Sequence, residues 1–262
     1  MYSLCFTALR KGQDYRAGFY IGLLAFKPQL AIAIALVLLF KWRWQALIGG
    51  GASLLLSLVL GFILVPEAMR AYFEISSNLL NFLRQPEYPT WGIHSFYGFS
   101  VLLFDELNPI LTNISTYILS GGTILLLWQL WKNISWVGDQ RAWDLAIAIT
   151  FIWGLLISPH LFYYDLMLLL LPAAIVIHHL PWLASQDKRL LLWTLIVWIA
   201  CFVGNVSSFA QSILANNFDL SVSSLQFSTL IIFFWGYRLL SITLKSRQHD
   251  HPKKYFPVQA VS

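Results

Sequence analysis

The sequence predicts an all-α, multi-pass transmembrane helical bundle, because it has long apolar runs, few charges and an uneven distribution of basic residues. Apolar residues make up 58% of the 262 residues and charged residues only 11%, whereas about 25% of the residues of a soluble domain are charged. Six apolar runs approach the ~20 residues that a membrane-spanning helix needs. These runs are 46–65, 110–131, 143–157, 162–180, 190–209 and 223–243.

These runs are predicted as helices, because a segment in lipid must satisfy its own backbone hydrogen bonds. The run 143–157 is short for a complete span, so we expect it to continue into the polar residues that follow it.

The segment 17–40 is apolar at both ends but is broken in its middle by Lys27, Pro28 and Gln29. A proline removes a helical hydrogen bond, and a charge at membrane depth is costly. This pattern fits either one kinked span or two short helices that form a broken, re-entrant pair.

The basic residues favour the re-entrant pair. If the C-terminal tail is cytoplasmic and the segment 17–40 forms a hairpin, all but three of the 17 Lys and Arg residues lie inside or at the inner membrane edge. The exceptions are Arg70, Arg84 and Lys27. This asymmetry follows the positive-inside rule. A single kinked span would move three more basic residues outside.

The sequence therefore predicts a multi-pass protein of the plasma membrane with a cytoplasmic C-terminus. Residues 1–243 form a single transmembrane domain, and residues 244–262 form a basic, polar tail that is expected to be disordered. The net charge is +5. The excess of basic residues is explained by their predicted place on the cytoplasmic side, so it does not indicate nucleic acid as a partner. Membrane lipids are the predicted surroundings.

The segment 158–165 is the richest in polar side chains, and it connects two predicted spans at the outer face. His160, Tyr164 and Asp165 lie close together there, after the helix-breaking Pro159. An acid at that depth normally faces a cavity or a partner. A polar substrate pocket and a helix-capping aspartate beside interfacial tyrosines both explain the pattern.

Lys27 is a second candidate, because it stands beside a proline between two apolar half-helices. Its ammonium group is suited to a phosphate, which lysine binds as a point charge. The alternative is a lysine whose long side chain reaches the interface.

The outer segment 91–99 is aromatic and rich in glycine, and it contains His94 and Ser95. It fits either a substrate-binding element, in which rings stack on a sugar, or a plain interfacial loop. Phosphate-binding glycine loops, zinc signatures and serine-nucleophile elbows are missing from the sequence. We therefore predict no cofactor and no metal, and we assign no catalytic residue.

Several of these motifs together resemble glycosyltransferase family 87, a group of multi-pass enzymes of the GT-C superfamily. The resemblance rests on residues 10–14, 17–18, 22–30 and 41–44, and on Ser158-Pro159 leading to Tyr164-Asp165. Ser95 with Gly98 is a looser match.

The resemblance implies transfer of a hexose, commonly mannose, from a polyprenyl-phosphate donor to a lipid-linked or surface glycan. Lys27 and the residues from His160 to Asp165 are the matching candidates for binding. An Asp or Glu in the family's first outer loop acts as general base, with inversion of configuration. That loop belongs to an N-terminal portion that this chain is expected to lack, so no residue here takes its role. It stays open whether this chain alone transfers sugar or only binds the donor.

Two other functions remain open. Broken helices and polar groups within the membrane also mark transport sites, so a transporter or flippase-like protein is one alternative. The other is a non-catalytic membrane subunit that needs a partner.

Overall fold

A computed structural model describes residues 1–27, 29–83, 85, 88–136, 139–218 and 226–250 of the chain. Every regular element in these ranges is a helix, which confirms the all-α, multi-pass prediction. The α-helices are α1 (Tyr2–Arg10), α2 (Asp14–Gly22), α3 (Gln29–Phe40), α4 (Trp44–Leu64), α5 (Pro66–Ser77), α6 (Leu79–Leu83), α7 (Phe96–Phe104), α8 (Pro109–Asn133), α9 (Gln140–Ile157), α10 (Leu170–His178), α11 (Leu180–Gln186), α12 (Leu190–Phe218) and α13 (Phe227–Asp250). The 3₁₀ helices are Leu23–Phe26, Thr90–Gly92 and Tyr163–Leu169.

Within the described ranges, five helices are long and apolar enough to cross a membrane. They are α4, α8, α9, α12 and α13. A sixth span is formed if Tyr163–His178 and Leu180–Gln186 are taken together, with a bend of 76° between them. Pro181 stands in the first turn of α11, where a backbone N–H would have no partner within the helix. Because proline cannot supply the next hydrogen bond of α10, that helix ends before it. Each of the six predicted runs therefore has a helical counterpart.

The ends of two spans differ from the prediction. α9 begins at Gln140, where Asp139 caps it by accepting the N–H of Ala142 at 3.1 Å, and it stops at Ile157. The expected continuation into the following polar residues is wrong, because Pro159 holds the residue before it away from the helical conformation. α13 continues to Asp250. The predicted disorder is therefore wrong for residues 244–250, while 251–262 lie outside the described residues.

α9 is the central helix of the bundle, and most of its side chains are buried. α1 runs antiparallel along it, with the Tyr2 and Phe6 rings 4.5 and 5.3 Å from the Phe151 ring. At the other end of this contact Arg10 pairs with Asp144. α3, α8, α10 and α13 also pack on α9.

Basic side chains gather at the end of the bundle where α9 begins. Arg10 lies over Trp143, Arg43 over Trp136 and Arg141 over Trp182, each within 6 Å of the ring centre. Arg238 joins them by pairing with Asp187, beside the start of α12. We call this the basic end of the bundle, and the end where α9 stops the opposite end.

α2 and α4 pack side by side and run in the same direction. Gly18 faces the backbone of Ala46, and Gly22 faces Ser53 farther along. A Cβ atom added at Gly18 would overlap the carbonyl oxygen of Ala46. Small residues therefore let the two backbones approach closely, as in many membrane helix pairs.

α3 returns to the end of the bundle from which α2 starts. Asp14, at the start of α2, pairs with Arg43, which directly precedes α4. Lys41, just after α3, donates to the carbonyl oxygen of Ile134 at 2.6 Å. The chain thus enters through α2 and comes back through α3, with Lys27 at the tip. This path favours the re-entrant hairpin over a kinked span. It also confirms the predicted break near Lys27. Pro28 lies outside the described residues.

Candidate functional site

Lys27 and Asp165 form an ion pair at the opposite end of the bundle. The ammonium group contacts both carboxylate oxygens, although the two residues are 138 positions apart in the sequence. Their side chains are only 17% and 9% exposed. The two charges stabilise each other at this burial, because either of them would be strongly destabilising if it were buried without a partner. The hairpin tip is therefore held against the 3₁₀ helix Tyr163–Leu169.

Local structure fixes the carboxylate of Asp165. Pro159 ends α9, and the chain resumes as the 3₁₀ helix Tyr163–Leu169. Asp165 Oδ2 accepts the backbone N–H of Phe162 at 3.1 Å, which satisfies a donor at the helix start. The same carboxylate thus caps a helix and pairs with Lys27, as the capping explanation expects, while the polar substrate pocket stays a prediction.

Tyr164 extends the site outward. Its ring lies 5.1 Å from the Lys27 ammonium, within the range of a cation–π contact. The residue is more than half exposed. An aromatic surface therefore stands directly beside the charged pair.

His160 lies on the other side of this segment and carries no positive charge at neutral pH. Burial lowers its pKa below the usual 6.5, and the nearby Lys27 ammonium lowers it further, against the opposing effect of Asp165. Its Nδ1 is hydrogen-bonded to the Tyr88 hydroxyl at 3.0 Å. Burial raises the pKa of Tyr88 to about 12, so this hydroxyl keeps its proton. The pair offers neutral hydrogen-bonding groups.

His94 and Ser95 do not join the ion pair. Both side chains are completely buried. The backbone N–H of His94 donates to the carbonyl oxygen of Leu161 at 2.8 Å. The Ser95 hydroxyl donates to the carbonyl oxygen of Pro159 at 3.4 Å. They hold the outer loop against the segment 158–162. Because neither has exposed surface in this conformation, their role in substrate binding stays a prediction that burial does not favour.

The arrangement is suited to an anion at the membrane boundary. An ammonium group has three N–H donors. Two of them are taken by Asp165, which leaves one for a phosphate oxygen. Among the described residues, no group of three or more His, Cys, Asp or Glu side chains is placed to hold a metal ion.

The structure thus brings together four of the six predicted site residues: Lys27, His160, Tyr164 and Asp165. Sequence reasoning missed Tyr88. Its contact with His160 joins positions 72 apart, and a lone tyrosine in a loop gives no local signal of such a partner.

The comparisons agree with this architecture. The family model of glycosyltransferase family 87 matches residues 1–159, which is more than half of the chain. The matched range contains the hairpin with Lys27 and the whole of α9, and it stops just before His160. Comparisons with curated proteins and with solved structures give no match. The chain belongs to glycosyltransferase family 87.

Proposed function

We propose that this membrane glycosyltransferase moves a hexose, namely mannose, from a polyprenyl-phosphate donor to a lipid-linked or surface glycan. Family membership and the apolar helices support a sugar transferase of the membrane. The donor, the sugar and the acceptor are our proposal, supported by the chemistry of the Lys27–Asp165 site.

The observation that carries the proposal is a lysine held at the tip of an apolar hairpin. A polyprenyl-phosphate donor keeps its tail in the lipid and its phosphate at the boundary with water. Lys27, with an N–H to spare, offers such a phosphate a cation at that depth. Asp165 acts as a positioning residue, because it aims the ammonium group and balances its charge while the site is empty.

Tyr164 and His160 suit the sugar of the donor. The exposed ring of Tyr164 stands beside the ammonium group, where a sugar linked to the bound phosphate would lie against it. His160 offers a neutral hydrogen-bonding nitrogen nearby. The general base must reach the acceptor hydroxyl within about 3 Å, and no residue is assigned to that role.

Replacement of Lys27 tests the proposal. We expect Lys27→Ala to lower mannosyl transfer from radiolabelled polyprenyl-phosphate mannose by roughly 10-fold to 150-fold, because a hydrogen bond to a charged group such as the donor phosphate contributes about 1.5–3 kcal/mol. Transfer is measured in membranes with equal amounts of inserted protein. Lys132→Ala removes a lysine at the basic end and should leave transfer unchanged.

A double variant separates loss of function from loss of folding. Lys27→Ala alone leaves the Asp165 carboxylate buried and unpaired, whereas Lys27→Ala with Asp165→Asn removes both charges and keeps an oxygen that can accept the N–H of Phe162. We expect the double variant to insert into the membrane and to unfold at the same temperature as the unaltered protein, but to lose sugar transfer. Unchanged transfer in this variant would refute the site, and no transfer from this donor by the unaltered protein would refute the proposed transfer by this chain.

We also propose that the basic end faces the cytoplasm of a plasma-membrane protein. In this orientation residues 1–243 form one transmembrane domain and residues 244–262 a cytoplasmic tail that begins within α13. The cluster of arginines at one end of the bundle supports it, because cytoplasmic loops carry an excess of Lys and Arg.

A further inference from the structure

A cavity of about 650 Å³ lies at the opposite end of the bundle, between α8 and the α5–α6 connection. Its size is within the range of sites that bind small molecules. Ile157 and Pro159 form part of its wall. It therefore adjoins the segment whose next residue, His160, belongs to the Lys27 site.

One wall of this cavity is a polar face of a membrane-spanning helix. Asn113, Thr116, Tyr117 and Ser120 of α8 line it, and their spacing places them on one side of a helix. α8 is otherwise apolar enough to span a membrane. Polar side chains in such a helix usually face a cavity or a partner. Thr116 donates its proton to the carbonyl oxygen of Thr112 at 2.7 Å, so its oxygen can accept from a ligand hydroxyl.

The facing wall has the same chemistry. Ser77, Asn78 and Asn81, from the end of α5 through α6, line it with hydroxyl and amide groups. Tyr97 of α7 closes the inner side. Tyr117 is largely exposed and presents an aromatic ring at the mouth.

The wall chemistry selects the class of ligand. None of the lining residues that the structure describes is charged, whereas most are amides, hydroxyls or phenols. Such groups both donate and accept hydrogen bonds, which matches the many hydroxyls of an uncharged sugar. A phosphate or a carboxylate would find no cation among them.

We propose that this cavity binds a neutral pyranose, the sugar of the glycan acceptor. Its identification as the acceptor rests on the proposed function. The segment 158–162 separates the two sites, with Pro159 on the cavity side and Phe162, through its N–H, on the Asp165 side. The proposed donor and acceptor sites thus adjoin the same short segment of the chain.

Protection of an introduced cysteine tests this site without any turnover. Ser120→Cys places a thiol on the cavity wall, and Thr116→Cys provides a second position. Ser115→Cys is the matched control, because Ser115 is on the same helix but not among the lining residues. The native Cys5 and Cys201 are buried. We expect a charged, membrane-impermeant maleimide to label the two cavity thiols and to react far more slowly at position 115.

A sugar probe should then compete with the reagent. Methyl α-D-mannoside at ten times its dissociation constant should slow labelling at positions 116 and 120 about tenfold, by occupancy of the site. Glycerol and inorganic phosphate should have no such effect. The inference is overturned if the mannoside gives no protection at either position, or if glycerol protects equally.

This result is independent of the transfer assay. Lys27→Ala should lower transfer but keep the protection by methyl α-D-mannoside. Protection without any transfer by the unaltered protein would refute the proposed transfer and leave the sugar site standing. Transfer without protection would refute the sugar site alone.

Discussion

The imidazole of His94 is completely buried between the outer loop and α13. The imidazole Nδ1 is hydrogen-bonded to Ser228 Oγ at 2.7 Å. The Thr229 hydroxyl donates to the backbone carbonyl oxygen of His94 at 3.1 Å. Burial lowers the pKa of His94 to about 4. This residue was singled out as a possible ligand of the sugar, but its surroundings are those of a neutral histidine that joins two parts of the fold.

This shift makes stability depend on pH. The folded-state pKa of His94 lies below the unfolded value of about 6.5, so below pH 6.5 the unfolded chain binds the proton first. The free energy of unfolding should fall by up to about 1.4 kcal/mol per pH unit between pH 6.5 and 4. Above pH 6.5 His94 is neutral in both states, and its full contribution to the free energy of unfolding is present.

The measurement is thermal unfolding in detergent at pH 7 and pH 5, for the unaltered protein and for His94→Gln. Glutamine keeps hydrogen-bonding groups but cannot titrate, so its pH dependence should be smaller. His160, whose pKa is also lowered, contributes with the same sign in both proteins. Equal pH dependence in the two proteins would contradict the assignment.

The contact between α2 and α4 decides where the hairpin lies. Gly18 faces Ala46 so closely that no larger residue fits, while Gly51 on α4 has open space around its Cα atom. Since α2 leads directly into the 3₁₀ helix Leu23–Phe26, this contact also fixes the depth of Lys27.

Alanine substitutions at these two glycines should act in opposite directions. Gly18→Ala forces the helices apart and should destabilise the protein by about 1–3 kcal/mol, as overpacking usually does. Gly51→Ala should stabilise it by up to about 1 kcal/mol through helix propensity. The midpoint of thermal unfolding measures both, and the transfer assay should show lower activity for Gly18→Ala alone. A stable, fully active Gly18→Ala protein would rule out this close packing.

The whole molecule has two different ends. The basic end holds arginines over tryptophan rings, and the opposite end holds the Lys27–Asp165 pair and the polar cavity. The re-entrant hairpin is essential to this arrangement, because it carries one lysine away from the basic end and returns the chain to it.

Labelling of single cysteines tests this topology. Gln13→Cys and Gln45→Cys lie at exposed positions on either side of the hairpin, and Glu67→Cys follows α4. An impermeant maleimide should label positions 13 and 45 only in inverted vesicles, and position 67 only in intact cells. Labelling of positions 13 and 45 from different sides would show a single crossing instead of a hairpin.

Lys27 and the segment with Tyr164 and Asp165 could be predicted to share one site, but the direct ion pair between Lys27 and Asp165 could not. Lys27 and Asp165 each stood out, because a charge in an apolar segment is costly and has few explanations. Tyr88 and the polar face of α8 were missed. For α8 a signal was present, since Asn113, Thr116, Tyr117 and Ser120 recur at helical spacing, but the length of the apolar run hid it.

The apolar runs, the break at Lys27 and the uneven distribution of basic residues could all be read from the sequence alone. These features follow from local runs of residue types, because the cost of placing a segment in lipid depends mainly on that segment. The ion pair of Lys27 with Asp165, the burial of His94 and the cavity between α8 and Asn78 became visible only in the folded protein. Such contacts join distant positions, and they depend on which helices pack closely enough for their side chains to touch.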